Sequence, residues 1–196
     1  GQKIQETAEK AEKTPKEFVN KIAKEFKEAF QLLNISNNNF IRTTDSYHEK
    51  EVKEILQKLY DQKYIYKGFY EAYYCVGCEQ YKTEYDLVDG KCSLHNREPE
   101  LRKEEAYLFK LSEFRDKLLN LIKKGELNIQ PKERRKEIIT FIEEGLKDIS
   151  VSRLKEKVYW GIELPFDKSH TCFVWIDAFW NYISGVKTDK NKKKFW

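Results

Sequence analysis

The sequence predicts an α/β protein whose middle part is an α+β unit organised around cysteines. Three observations lead there. Apolar residues recur at three- and four-residue steps over 15–33, the period of an amphipathic helix. Three of the four cysteines and one of the three histidines fall within residues 73–96, spaced C-x2-C, thirteen residues, then C-x2-H. Near the C-terminus a β-prone run, TCFVWID, leads straight into helix-forming AFWNYISG, and a strand feeding a helix is the texture of an α/β layer.

The elements follow in order. Residues 2–13 read as a short helix. The helix over 15–33 carries Phe18, Ile22, Phe26, Ala29, Phe30 and Leu33 on one stripe. Thr14 can cap it, Pro15 suits its first turn, and Glu17 completes a capping box. A second helix starts near Ser46, with Val52, Ile55, Leu56 and Leu59 as its buried face. It gives way to a tyrosine-rich strand pattern, YIYKGFYEAYYC, in which Gly68 is expected to make a turn. EEAYLFKL is another strand. Helices follow over 112–124 and 131–144, with Gly125 and Gly145 placed for left-handed C-terminal caps. From Asp148 the runs DISVSR and YWGIELP are short and β-prone, and the final KTDKNKKKFW reads as a basic loop. No internal repeat occurs. The chain divides into helical ends of unlike character and a middle from about residue 41 to 144.

Composition narrows the function classes. At 196 residues, with 40% hydrophobic and 14% aromatic residues, the chain can bury a core and is too apolar to stay disordered. No run of eighteen apolar residues exists, so no membrane-spanning helix is expected, and nothing suggests secretion. The net charge of +4 comes from 37 basic and 33 acidic residues interleaved along the helices, which reads as a solvated surface rather than a dedicated nucleic-acid face. The sequence starts at Gly1 and has no Met, which suggests a processed or partial chain.

The cysteine cluster points to a metal. Each two-residue spacing puts two ligands on one side of a tight knuckle, and two knuckles facing each other across a hairpin make a tetrahedron. Gly77 eases the first knuckle and Asp89-Gly90 turns the chain before the second. Cys75, Cys78, Cys92 and His95 are thus candidate ligands for structural zinc. A disulfide framework does not suit a chain without a secretory signal, and a thioredoxin-like site lacks its βαβ setting. Four ready ligands also argue against a catalytic zinc, which keeps one corner open. Cys172, in an apolar run, reads as a small buried hydrophobe. Removing the metal is expected to unfold the middle part.

At the C-terminal junction Asp177 falls where a strand ends and a helix begins, a place that suits an N-cap. Trp175, Trp180 and Tyr182 crowd it. Periodicity alone favours core packing for these aromatics over the wall of a small apolar pocket.

The runs FIRTTDSYH (40–48), YEAYYCVGCEQYKTE (70–84), ELNIQPKERRKEIITFIEEGLKDISVSR (126–153), WGIELP (160–165) and FVWIDAFWNYIS (173–184) together resemble the methionyl-tRNA synthetase family, in the right order and over nearly the whole chain. The opening GQKIQETAEKAEKTPKEF resembles the same family just after its GTDEHG motif. The resemblance implies a Rossmann-type class I catalytic domain interrupted by a zinc-bearing connective-peptide insertion. Residues 1–40 would end the first catalytic half, 41–145 would be the insertion and 146–196 would begin the second half. The zinc ligands carry over as Cys75, Cys78, Cys92 and His95. Many members have Cys at the fourth position, and histidine serves zinc equally well.

The resemblance also reverses the core-packing reading. Trp175, Ala178 and Tyr182 match methionine-pocket positions, and Arg153, closing SVSR, matches an arginine beside the activation site. The implied reaction activates methionine with ATP and Mg2+ and transfers it to tRNA(Met). The HIGH and KMSKS motifs do not occur in these 196 residues, so the chain alone is expected to be inactive. Remaining synthetase segments or self-association would cover an incomplete sheet, and the cytosol is the default compartment, an organelle the alternative. A standalone zinc-knuckle RNA-binding module, or a purely structural zinc domain, stays as the competing reading. The aromatic positions in FVWIDAFWNYIS separate them, since neither alternative needs Trp175 and Tyr182 at a strand end.

Overall fold

The computed structural model describes residues 1–82 and 86–187. Thr83 and Glu84, which end one of the quoted runs, and all but the first residue of the basic C-terminal loop lie outside them. Two helices open the chain, α1 (Gln2–Lys10) and α2 (Pro15–Leu32). The capping box forms as expected: Glu17 N donates to the Thr14 hydroxyl at 3.3 Å, and Thr14 N donates to Glu17 Oε2 at 3.0 Å. Of the α2 stripe, Phe18, Ile22 and Phe30 are half-buried, while Phe26 and Leu33 are exposed.

Helix α3 (Ser46–Asp61) buries Val52 and Leu56, and also His48. Strand β1 (Ile65–Cys75) runs antiparallel to β5 (Glu100–Phe109), from Ile65 opposite Phe109 to Tyr74 opposite Glu100. The short β2 (Gln80–Lys82) flanks β1, and β6 (Ile149–Ser150) flanks β5, giving the order β2-β1-β5-β6. Strands β3 (Leu87–Val88) and β4 (Lys91–Cys92) form a small hairpin. A third sheet orders β7 (Ser152–Leu154), β9 (Asp167–Cys172) and β8 (Glu163–Leu164). A 3-10 turn (Leu111–Phe114) leads into α4 (Arg115–Lys124), and α5 (Lys132–Glu143) packs on α4 through Leu119, Ile122 and Ile142. Gly125 is left-handed at φ 76° and Gly145 has φ 113°, as their cap positions require. Helices α6 (Val174–Phe179) and α7 (Asn181–Lys187) close the described chain. All described strand pairs are antiparallel.

Two expectations are corrected. Gly68 makes no turn; it sits mid-strand opposite Ala106. A Cβ there would stand 3.0 Å from Leu108 Cδ1, so glycine permits close approach of a neighbouring side chain. The run TCFVWID is not one strand: β9 stops at Cys172, and the helix begins at Val174. Asp177 therefore lies inside α6, and Phe173 holds the N-cap position without a side-chain cap.

The main core joins Val52 and Leu56 of α3 to Ile65 of β1, Tyr107 of β5, Val151 and Leu164. Each such aliphatic side chain contributes on the order of 2 kcal/mol when fully buried. Val151 stitches two sheets together. Its N–H donates to Tyr107 O at 2.8 Å, and its carbonyl accepts from Phe173 N at 2.9 Å. That stitch places Arg153 and Phe173 beside the β1–β2 end of the first sheet.

Candidate functional site

The four predicted metal ligands come together. Strand β1 delivers Cys75 and the following turn returns Cys78; β4 delivers Cys92 and the next turn returns His95. In both knuckles the residue after the second ligand is left-handed: Glu79 at φ 52° and Asn96 at φ 47°. Asparagine tolerates that conformation, whereas for Glu79 it costs on the order of 1 kcal/mol. Glu79 is held by its contacts. Its carboxylate accepts from Lys3 N at 2.7 Å, and its carbonyl accepts from Trp175 Nε1 at 3.0 Å.

The ligand atoms of Cys75, Cys78, Cys92 and His95 all lie within 4.8 Å of one another. Cys78 Sγ is 3.5 Å from Cys92 Sγ and 3.2 Å from His95 Nδ1, and Cys92 Sγ is 4.0 Å from His95 Nδ1. A zinc tetrahedron with ordinary bond lengths has edges of about 3.8 Å between sulfurs and about 3.5 Å from sulfur to nitrogen. The set fits. A Cβ on Gly77 would meet His95 Cδ2 at 2.7 Å, so the missing side chain is what lets the imidazole turn in.

Without a cation, three crowded sulfurs cannot all ionise. Burial, together with hydrogen bonds to Cys92 and Cys75, pushes the Cys78 thiol up to about 11. For Cys92, burial pulls upward but is outweighed by hydrogen bonds from the His95 ring and the Leu94 and His95 amides, which bring it down to about 6. Three thiolates and a neutral imidazole around Zn2+ would leave one negative charge in excess. Lys82, buried and hydrogen-bonded to Cys78, would supply the matching cation.

A cavity of about 230 Å³ lies beside this centre, lined among others by Arg153, Tyr74, Glu79, Phe173, Asp177 and Glu49. Arg153 is only 4% exposed. Its Nη1 donates to Ser150 Oγ at 3.1 Å and to Ser152 O at 2.9 Å. Aromatic rings surround the guanidinium, with Cζ 3.8 Å from the Phe173 centroid, 4.6 Å from Tyr81 and 5.1 Å from Tyr74. Arg153 Nε and Nη2 are buried with no hydrogen-bond partner among the described residues. Burial pushes the Asp177 carboxyl up to about 7.

Trp175 and Ala178 lie one turn apart on α6, and Tyr182 is the second residue of α7. They do not line the cavity: Trp175 and Tyr182 are exposed and Ala178 is half-buried, whereas Asp177 turns inward. The helix pair is pinned from behind. His48 Nδ1 lies 2.7 Å from Ser184 Oγ, and Ser184 Oγ donates to Trp180 O at 3.0 Å, all three residues being at least half-buried. Sequence reasoning named neither this pair nor the rings around Arg153. Tyr74 and Tyr81 flank the first knuckle and Phe173 precedes the strand-to-helix motif, so position beside a motif was the available signal.

The model for tRNA synthetases class I (M) matches residues 1–86 and 78–196. The methionine–tRNA ligase of Caldanaerobacter subterraneus subsp. tengcongensis is 46% identical over 200 residues, covering 100% of this chain and 31% of that protein. The methionine–tRNA ligase of Clostridium perfringens is 45% identical over 201 residues, with the same shares covered. This chain thus spans about a third of the length of these curated relatives, 31%. The Mycobacterium tuberculosis methionyl-tRNA synthetase solved in complex with methionyl-adenylate superposes with a TM-score of 0.86 at 31% identity, covering 98% of this chain and 38% of that one.

Proposed function

Since the chain belongs to the class I tRNA synthetase (M) family, we propose that it is the part of a methionine–tRNA ligase that carries the zinc knuckle, the activation-site arginine and the methionine-facing helix. In the reaction, a methionine carboxylate oxygen attacks the α-phosphorus of Mg2+-bound ATP and pyrophosphate leaves. A ribose hydroxyl of tRNA(Met) then attacks the carbonyl carbon of the adenylate, and AMP leaves. One observation supports this reading most: a buried guanidinium with unpartnered N–H groups borders a cavity. A buried cation in that state is completed by an anion, and both the carboxylate and the α-phosphate qualify.

Each remaining part has a role in the proposal. Trp175, Ala178 and Tyr182 form one wall for the methionine side chain, and other segments of the polypeptide close the pocket over their exposed face. Cys75, Cys78, Cys92 and His95 hold zinc, which neutralises the thiolates and fixes both knuckles. Residues 1–40 and 146–196 belong to the split Rossmann-type catalytic domain, and residues 41–145 form its insertion. Among the described residues no helix is long and apolar enough to cross a membrane.

The test is methionine-dependent ATP–pyrophosphate exchange by the full polypeptide that contains these residues. Exchange is expected from it and none from the 196 residues alone; no exchange from the full polypeptide overturns the proposal. Trp175→Ala should raise the KM for methionine roughly tenfold and leave that for ATP in place, as expected for a lost pocket wall. Equal changes in both constants would remove Trp175 from the pocket.

A further inference from the structure

Arg153 is oriented by rings more than by hydrogen bonds. Only Nη1 has acceptors, Ser150 Oγ and Ser152 O, so the guanidinium plane could still pivot about that edge. Phe173, at 3.8 Å, comes from the arginine's own side of the molecule, at the end of β9. Tyr81 comes from the metal knuckle. It sits on β2, opposite Tyr74, one residue from the pair Cys75 and Gln80. The ring itself is fixed: it packs on Tyr70 at 4.3 Å and Tyr74 at 5.1 Å, and its hydroxyl reaches the buried Glu104 at 3.4 Å.

We propose that Tyr81 is a positioning residue for Arg153, its ring face holding the guanidinium in place at the border of the cavity. This rests on the reading of Arg153 as the activation-site arginine. Strand β2 pairs with β1 directly after the first knuckle, and the register Tyr74 opposite Tyr81 is what brings the ring to the guanidinium. The attraction of a cation to a ring face strengthens with desolvation, and here the guanidinium is buried and the ring half-buried. Tyr81 touches no reacting atom; it acts by keeping the arginine from pivoting.

The test uses the full polypeptide loaded with zinc and follows pyrophosphate exchange. Tyr81→Leu should lower kcat on the order of 10- to 50-fold, with the KM for methionine within about twofold and the zinc content unchanged. Tyr81→Phe keeps the ring face and loses only the long contact to Glu104, so it should restore most of kcat. In an Arg153→Gln background, Tyr81→Leu should cost nothing more, because its effect passes through the arginine. A fluorinated phenylalanine at 81 keeps the shape but withdraws charge from the ring, and should fall below Tyr81→Phe; it serves if the leucine variant fails to fold. Unchanged kcat in Tyr81→Leu, or the same loss with and without Arg153, overturns the proposal while the wild-type enzyme still exchanges. Absence of exchange in the wild type would overturn the functional reading, and this with it.

Discussion

Stripping zinc is expected to unfold residues 76–99 and to leave the main core folded. That segment has almost no core of its own. Strands β3 and β4 are two residues each, and the apolar side chains nearby, Val88 and Leu94, are 61% and 76% exposed. On the zinc reading, coordination would supply what burial does not, since structural zinc contributes on the order of 10 kcal/mol in small sites. The strands beneath are different. Ile65 and Tyr107 sit in the main core, and β1 and β5 stay paired along their length. The sequence alone suggested that the whole middle part depends on metal; the core packing of Ile65 and Tyr107 leads us to expect that dependence in the knuckles only. Hydrogen exchange read by mass spectrometry, with zinc measured on the same sample, checks it. One zinc per chain and lost protection over 76–99 alone is the expected result. Unchanged protection after chelation would remove the metal reading, and loss over α3 and β5 as well would remove the confinement. Because thiolates are the ligands, acid should release the metal and produce the same local change.

Arg153→Gln is expected to lower the kcat of methionine-dependent exchange by 10²- to 10³-fold in the full enzyme, on the order of what one preorganised donor to a developing anion is worth. Glutamine keeps a donor but loses the charge and the planar fork. Arg153→Lys keeps the charge, loses the fork and stacks less well on Phe173, Tyr81 and Tyr74, so an intermediate loss is expected. Pyrophosphate exchange separates this from an effect on transfer to tRNA, since exchange reports the first step only. A variant that melts like the wild type and keeps full exchange would show that the buried charge serves structure alone.

Much of this was legible because it is local. The capping box of α2 is a four-residue pattern and appears as read; the face of α3 repeats within one helix and appears with Val52 and Leu56 buried and Ile55 and Leu59 half-buried. The cage ligands were legible because two short knuckles each constrain themselves. What failed depended on distant partners. Gly68 carries the signal of a turn, and only Leu108 across the ladder explains it as a place of close approach. The run FVWI has β-branched and aromatic residues that favour a strand, but the ladder of β9 ends at Cys172 opposite Ser152, and the chain then turns into α6. The box around Arg153 draws rings from positions 74, 81 and 173, and no spacing rule joins those three. The same holds for the bond from Trp175 to Glu79, which ties α6 to the first cysteine knuckle.

The way the main core straddles residue 145 limits what can be exchanged between relatives. A chimera replacing residues 41–145 wholesale would part Val52, Leu56, Ile65 and Tyr107 from Val151 and Leu164, asking two foreign halves of one core to fit. A graft limited to residues 76–99 would cut only beyond the ends of β1 and β5 and would carry Tyr81 along with Cys78, Cys92 and His95, while the host's β1 supplies Cys75. The knuckles are the portable piece, and the strands that hold them belong to the host.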